Sequence, residues 1–457
     1  MRRTMLDQLP LVAAAIAHVH ARELEKMSEV LDRLPEVLEL VHADLVDQGA
    51  RRVDPNRGRE GMTAEQVLRA CVVKQMRGFS YEELAFHLAD SNTYRAFCRI
   101  GIADQSPSRS RLQKNIKRIS AKTWEAINRK LVVFAAANGI ESGKKVRTDC
   151  TVVDSNIHAP TDSSLLWDGV RVLVRLMTDA RETFGLTFSS RQKRAKRRAM
   201  GILNARSNEQ RLPLYKDLLD ATVEMVISAE RIAGELEALE PPTMELMRRA
   251  DALASELRRY VALTRRVISQ TERRVLRGES VPATEKIVSI FEPHTDIVIK
   301  KNRETLYGHK ICLTAGASGL VTDVVIERGN PADSTLAVRM IERQRDLYGV
   351  VPKQAAFDGG FTSAANLESI KALGVEDVAF SKGRGLSITD MVKSSWVYRC
   401  LRDFRAGIEG VISFLKRAFA LDRCTWSGLA SFEAYVCGSV LACNLLVVAR
   451  HMLGASG

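Results

Sequence analysis

Three acidic residues stand where an acid is costly to place. Asp149 lies inside the β-branched run 146–153, Val-Arg-Thr-Asp-Cys-Thr-Val-Val. Alternation puts Val146, Thr148, Cys150 and Val152 on one face of a strand and Arg147, Asp149 and Thr151 on the other. Asp358 follows Gln354-Ala355-Ala356-Phe357 and precedes Gly359-Gly360. An acid at the C-terminal end of a strand, before glycines, lies where open sheets bind ligands. Glu409 belongs to Arg405-x3-Glu409-x6-Lys416, and spacings of four and seven set all three on one helix face. Ile408, Val411, Ile412 and Leu415 supply the packing for that helix. Three carboxylates from separate elements are what two divalent cations need for phosphodiester chemistry. The cations at 405 and 416 would hold phosphates beside them. Plainer readings compete. Asp149 could sit in a salt bridge to Arg147 or Arg405, Asp-Gly is also a turn sequence, and residues 405–416 could be a surface ion-pair face. Asp154 and Asp162 are rival acids, but Asp154, five residues on, faces the opposite way on an unbroken strand.

Composition sets the frame for that chemistry. The chain has 457 residues and carries a net charge of +13, so two or three domains and a polyanionic partner are expected, most simply nucleic acid. Eight cysteines without a Cys-x2-Cys pair argue against a zinc module or a disulfide framework and suit a reducing cytoplasm. The first residues lack the apolar core of a signal peptide. The longest apolar run, 434–449, is broken by Ser439 and Asn444. It falls short of the roughly 20 residues of a membrane span and reads as a buried helix.

The elements that must position the acids follow from periodicity. Residues 1–60 read as an amphipathic helical segment with breaks at Pro10 and Pro35. Residues 61–140 read as a compact helical domain resembling a helix-turn-helix. Thr63 with Gln66, and Ser80 with Glu83, open two of its helices and Gly78 ends the first. After Ser106-Pro107-Ser108 comes a basic helix with Arg109, Arg111, Lys114, Lys117 and Arg118, suited to DNA contact. From 144 the pattern becomes strand alternation, interrupted by a helical insertion over 163–285 with the basic run 191–198 and a hairpin divided at Pro241-Pro242. Strands are expected again at 286–291 and 296–299. A hairpin over 308–327 follows, then a helix at 332–347, a strand at 352–358, a helix at 363–373 and a strand at 378–382. One helical stretch then runs over 404–452. This order implies an α/β fold with a mixed sheet and helices on both faces, built from 141–162 and 286–457.

These motifs, in this order, resemble the DDE-type transposases of bacterial insertion sequences, whose catalytic core is ribonuclease-H-like. Arg405-x3-Glu409-x6-Lys416 is similar to the Tyr-x2-Arg-x3-Glu-x6-Lys signature of one large branch, with Arg402 at the Tyr position. The segments 148–153 and 356–361 resemble the family's first and second strand motifs. Residues 161–167 and 307–310 resemble an ISNCY-like subgroup. The resemblance implies Asp149, Asp358 and Glu409 as a metal-binding catalytic triad for two Mg²⁺ or Mn²⁺ ions, with Arg405 and Lys416 as phosphate contacts. It implies cleavage and strand transfer on double-stranded DNA, with terminal inverted repeats and target DNA as partners. It also implies a homodimer in the synaptic complex, and a cytoplasmic, nucleoid-associated, membrane-free setting.

Other residues invite plainer readings. His309 and His158 read as structural, and Trp167 and Trp426 as core. Lys382 and Arg384 form a basic loop that reads either as lying near the expected DNA path or as a plain surface loop. A ribonuclease-H-like nuclease without strand transfer would share the three acids, and a non-catalytic DNA-binding relative would share the fold.

Overall fold

The computed structural model describes residues 3–5, 8, 11, 17–47, 61–299 and 304–454. Pro10 and the stretch 48–60 of the expected N-terminal segment lie outside them. The chain divides into two compact units, Met1–Asp154 with His309–Gly457, and Ser155–Gly308.

Seven helices open the first unit: α1 (Val19–Asp32), α2 (Glu36–Val46), α3 (Ala64–Arg77), α4 (Tyr81–Asp90), α5 (Asn92–Phe97), α6 (Arg109–Ile116) and α7 (Ala121–Ala137). Local chemistry fixes their ends. Pro35 caps α2. Thr63 with Gln66 and Ser80 with Glu83 form reciprocal capping boxes, and Gly78 closes α3 at φ 64°, a left-handed value that glycine adopts without strain. Strand β1 (Lys145–Asp154) follows.

The second unit holds α8 (Asp162–Phe184), α9 (Gln192–Asn204), α10 (Asn208–Glu237), α11 (Met244–Thr271) and β2 (Asp296–Ile299). Leu173, Met177, Met225, Ile232 and Leu257 share its core. Gly169 on α8 lies where a Cβ would stand 2.8 Å from Thr264, so the two helices approach closely. Arg258–Glu237 and Arg265–Glu230 pairs lace α10 to α11. The strand expected at 286–291 is absent. The Gln270 side chain accepts from the Ile287 N–H at 2.9 Å and donates to its carbonyl, and Ser289 Oγ accepts from the amides of 291 and 292. Side chains thus take the bonds that a neighbouring strand would make, while Ile287 and Ile290 fill the core.

Strand β3 (Thr305–Ala315) begins in the second unit and continues in the first. After it come β4 (Val321–Ile326), α12 (Ala337–Tyr348), β5 (Gln354–Phe357), α13 (Ala364–Ala372), β6 (Asp377–Phe380), α14 (Ile388–Met391), α15 (Ser395–Ala418) and α16 (Leu429–Gly454). The sheet runs β2-β3-β1-β5-β6, with β4 also on β3. β1, β5 and β6 are parallel, whereas β2 and β4 pair antiparallel with β3. This six-stranded mixed sheet flanked by helices is a ribonuclease-H-like arrangement. Val146, Ala355, Phe357, Val378 and Phe380 form its core with Met340, Ile370 and Leu401 from α12, α13 and α15.

The single helix expected over 404–452 is two helices. Ala420 at φ 56° and Gly428 at φ 88° break the run, and α15 begins nine residues earlier, at a Ser394 cap. α16 is long and apolar enough, by length and composition, to cross a membrane, contrary to the expectation from sequence. It is nevertheless almost wholly buried, packed with α1, α3 and α7.

Candidate active site

The parallel register of β1 and β5 pairs Arg147 with Ala356 and Thr148 with Phe357. Continued one residue, it brings Asp149 beside Asp358. α15 packs against both strands and adds Glu409. One guanidinium joins the three acids. Arg405 Nη2 donates to Asp149 at 3.0 Å and to Asp358 at 2.9 Å, and Nη1 donates to Glu409 at 3.0 Å. Arg405 and Asp149 are each 16 % exposed, Asp358 35 % and Glu409 67 %. The outermost acid therefore has the most freedom to turn.

The two aspartates sit in different fields. Burial pushes the Asp149 carboxyl up to about 6, against Arg405 and the Cys150 N–H that favour its charge, and Asp358 and Asp333 push it further. For Asp358 burial acts upward too, but Arg405, the Gly359 and Gly360 amides and the Ser381 hydroxyl outweigh it and hold the carboxyl below its ordinary value.

Helix α15 is fastened to β1 by cations. Arg147 Nη1 donates to the Phe404 carbonyl at 2.9 Å and the guanidinium lies 4.7 Å from the Phe404 ring. Gly407 makes room, since a Cβ there would stand 2.1 Å from Arg147 Nη1. Lys416 donates to the Val152 carbonyl at 2.9 Å and lies 3.4 Å from Asp422. Ile408 and Leu415 are fully buried beneath it. An open cavity of ≈ 600 Å³ is lined by Asp149, Thr151, Glu409, Ser413, Lys416 and Arg417, among others. Asp154 is directed elsewhere, to Arg423 at 3.8 Å, and Asp162 pairs with Arg274 in the second unit.

The remaining basic candidates are dispersed. Arg109 is exposed and 3.6 Å from Glu82. Lys114 and Lys117 are exposed, and Arg111 is half-buried. Arg118 donates to the Leu45 carbonyl. Lys382 is exposed, with its stem against Gly359, the residue after Asp358. Arg384 is exposed at φ 44°. In the run 191–198, Arg191, Arg194 and Arg198 pair with Glu224 and Asp217 of α10. His309 is buried, edge-on to the Phe432 ring at 4.9 Å, and Trp426 is buried as expected.

Sequence reading missed three groups around the acids. Asp333, in a short 3-10 turn before α12, adds its charge to the field on Asp149 and is held by Lys310 at 2.9 Å. Ser381 donates to Asp358 at 3.1 Å. Asp333 reads in sequence as an ordinary residue at a helix start. Only the adjacency of β3 to β1, which carries Lys310, would have raised it.

Among the described residues, no three His, Cys, Asp or Glu side chains are already gathered about one coordination point, because the guanidinium stands between the carboxylates. The donors are nonetheless all hard oxygens, suited to Mg²⁺ or Mn²⁺. Arg405 Nε is buried without a partner, so the guanidinium does not satisfy all its own bonds where it sits.

Comparison with known families decides the class. Residues 291–445 match the family model described as Transposase DDE domain, and residues 18–118 match Transposase domain (DUF772). The chain belongs to the DDE-type transposases. The matched intervals identify the family and no subgroup within it. Asp358 and Glu409 fall inside the DDE interval, whereas Asp149 precedes the helical second unit and falls outside it. No curated protein and no solved structure matches the transposase. Its family acts on DNA and generally uses divalent metal ions.

Proposed function

We propose that this transposase cleaves the ends of an insertion sequence and joins the freed 3′ ends to target DNA, with Asp149, Asp358 and Glu409 as the acids that hold Mg²⁺ or Mn²⁺. The observation that carries the reading is the convergence of three carboxylates, from β1, the end of β5 and α15, on one guanidinium. When bound, divalent ions supply an activated water or 3′-hydroxyl and stabilise the leaving oxygen. The protein's part is placement. The Cys150 N–H orients Asp149 at 2.8 Å, and Ser381 with the glycine amides orients Asp358. Arg147 and Lys416 hold α15, and with it Glu409, against β1. Arg405 is the resting counter-charge. Released from the acids, its guanidinium would be free to hold a phosphate beside them. The domain assignment that accompanies this reading gives DNA contact to 61–140, catalysis to 141–162 with 286–457, and an inserted helical body to 163–285. Two ends must be joined, which favours a homodimer in the complex.

The test incubates purified protein and Mg²⁺ or Mn²⁺ with duplexes carrying the DNA that flanks the gene, beside a Glu409→Ala control. Metal-dependent nicking at the ends and joined products, both lost in the control with DNA affinity kept, are expected. Nicking without joining would reduce the reading to a nuclease. Binding without either would leave a DNA-binding relative.

A further inference from the structure

Apart from the acids, the first unit holds a buried lysine with no direct ion-pair partner among the described residues. Lys74 on α3 is 3 % exposed, and its ammonium makes no ion pair or hydrogen bond among the described residues. Three rings surround it instead, Tyr81 at 5.0 Å, Trp426 at 5.8 Å and Tyr435 at 6.0 Å. Ring faces stabilise a cation modestly, whereas removing an ammonium from water costs far more. Burial lowers the Lys74 pKa from the ordinary lysine value, outweighing neighbours that favour its charge, Glu83 among them, while the Lys117 charge adds to the lowering.

Lys74 lines a cavity of ≈ 410 Å³ formed by α3, the start of α4, α6 and residues 425–426. Two further donors on its wall, Tyr81 Oη and Trp426 Nε1, are buried and also lack partners. Burial raises the Tyr81 pKa, so its hydroxyl stays a donor. Gln113, Ser80, Thr425 and the cations Lys117 and Arg109 complete the lining. Its one carboxylate, Glu82, is 75 % exposed and faces Arg109. The buried Lys74 ammonium, the two partnerless donors of Tyr81 and Trp426 and the two outer cations bias the site toward an anion. The ligand such a set recognises is a tetrahedral oxyanion.

We propose that this cavity takes a backbone phosphate of the DNA, with Lys74 as its buried cation. The proposal rests on the DNA-acting reading above and adds a contact that α6 alone would not supply. It also has a geometric consequence. Trp426 lies two residues beyond Cys424, whose N–H donates to the Asp154 carbonyl at 2.8 Å, while the Asp154 N–H donates to the Asp422 carbonyl at 3.0 Å. A phosphate held here is therefore tied, through a short bonded segment, to the strand that carries Asp149. Its role is to set the DNA in register with the acids.

The test uses full-length Lys74→Met, which keeps the side chain's length and removes the buried charge. Its melting temperature should equal or exceed that of the wild type. Affinity for duplex ends, by fluorescence anisotropy from 50 to 200 mM KCl, should fall about five- to tenfold at the low-salt end. The slope of log K against log salt should flatten by about one, as for one lost phosphate contact. Tyr81→Phe should weaken binding less and leave the slope unchanged. Unchanged affinity and slope in Lys74→Met, with the wild type binding, overturns the proposal. If the wild type does not bind DNA, the DNA reading fails by itself. Inorganic phosphate then tests the site alone: it should raise the wild-type melting temperature and not that of Lys74→Met. Equal response of both overturns the anion site.

Discussion

Asp149→Asn is expected to make the metal-free transposase more stable, with a defined dependence on pH. Burial, aided by the charges of Asp358 and Asp333, outweighs Arg405 and the Cys150 amide and sets the Asp149 carboxyl at about 6 rather than 3.8. Keeping it ionised in the folded chain then costs ~3 kcal/mol at neutral pH. The side chain is 16 % exposed, so solvent screening trims this only in part, and a gain of about 1–3 kcal/mol is expected for the amide. Arg405 retains Asp358 and Glu409 as partners, so the substitution does not strand a buried guanidinium. The sign follows from proton binding. Between the ordinary value and about 6 the folded state holds the extra proton, so wild-type stability from this group rises as pH falls through that window. The amide cannot titrate, and its advantage should be full at pH 8 and vanish near pH 4. Thermal melts in EDTA at both pH values measure this, with a rise of a few °C expected at pH 8. A variant that melts below the wild type at pH 8, or one whose gain persists unchanged at pH 4, would refute the account of the Asp149 environment.

Two further outcomes follow from the same cluster. Arg405→Ala leaves three neighbouring carboxylates without their shared cation, so the metal-free melting point should drop by the equivalent of about 3 kcal/mol. Mg²⁺ should raise it more than it raises the wild type's, as calorimetry with and without the ion would read. Gly407→Ala should displace Arg147 from the Phe404 carbonyl and cost about 1–2 kcal/mol in urea unfolding, while equal stability would mean that the Arg147 clasp contributes nothing.

The acids were legible because each broke a local rule. Asp149 interrupted a β-branched run, Asp358 ended a strand before glycines, and the 405–416 spacing wrote a helix face. The sheet that gathers them followed from the order of strand and helix signals, and the two capping boxes gave helix starts to the residue. What stayed hidden depended on long-range pairing. Asp333 and Lys310 join the site only because β3 lies beside β1. The apolar stretch 286–291 resembles a strand, yet Gln270, sixteen or more residues earlier in the chain, meets its backbone needs. The break at 419–428 escaped because no proline marks it, only Ala420 and Gly428 in left-handed conformations. Arg405 was foreseen both as a salt-bridge partner and as a phosphate contact, and spacing alone could not tell that one guanidinium would bridge all three acids.

The pairing of Met1–Asp154 with His309–Gly457 in one unit also governs how the chain is made. During synthesis, Ser155–Gly308 has its own core and can fold as it emerges. The helices made before it cannot, because α1, α3 and α7 bury their apolar faces on α16. Likewise β1 waits for β5, and Asp149 waits for Arg405, across more than two hundred residues. The nascent chain must therefore hold its first 154 residues incompletely buried until residue 454 has left the ribosome, a long exposure that favours chaperone capture or aggregation. A ribosome that stalls before α15 would release a polypeptide with no complete acid cluster.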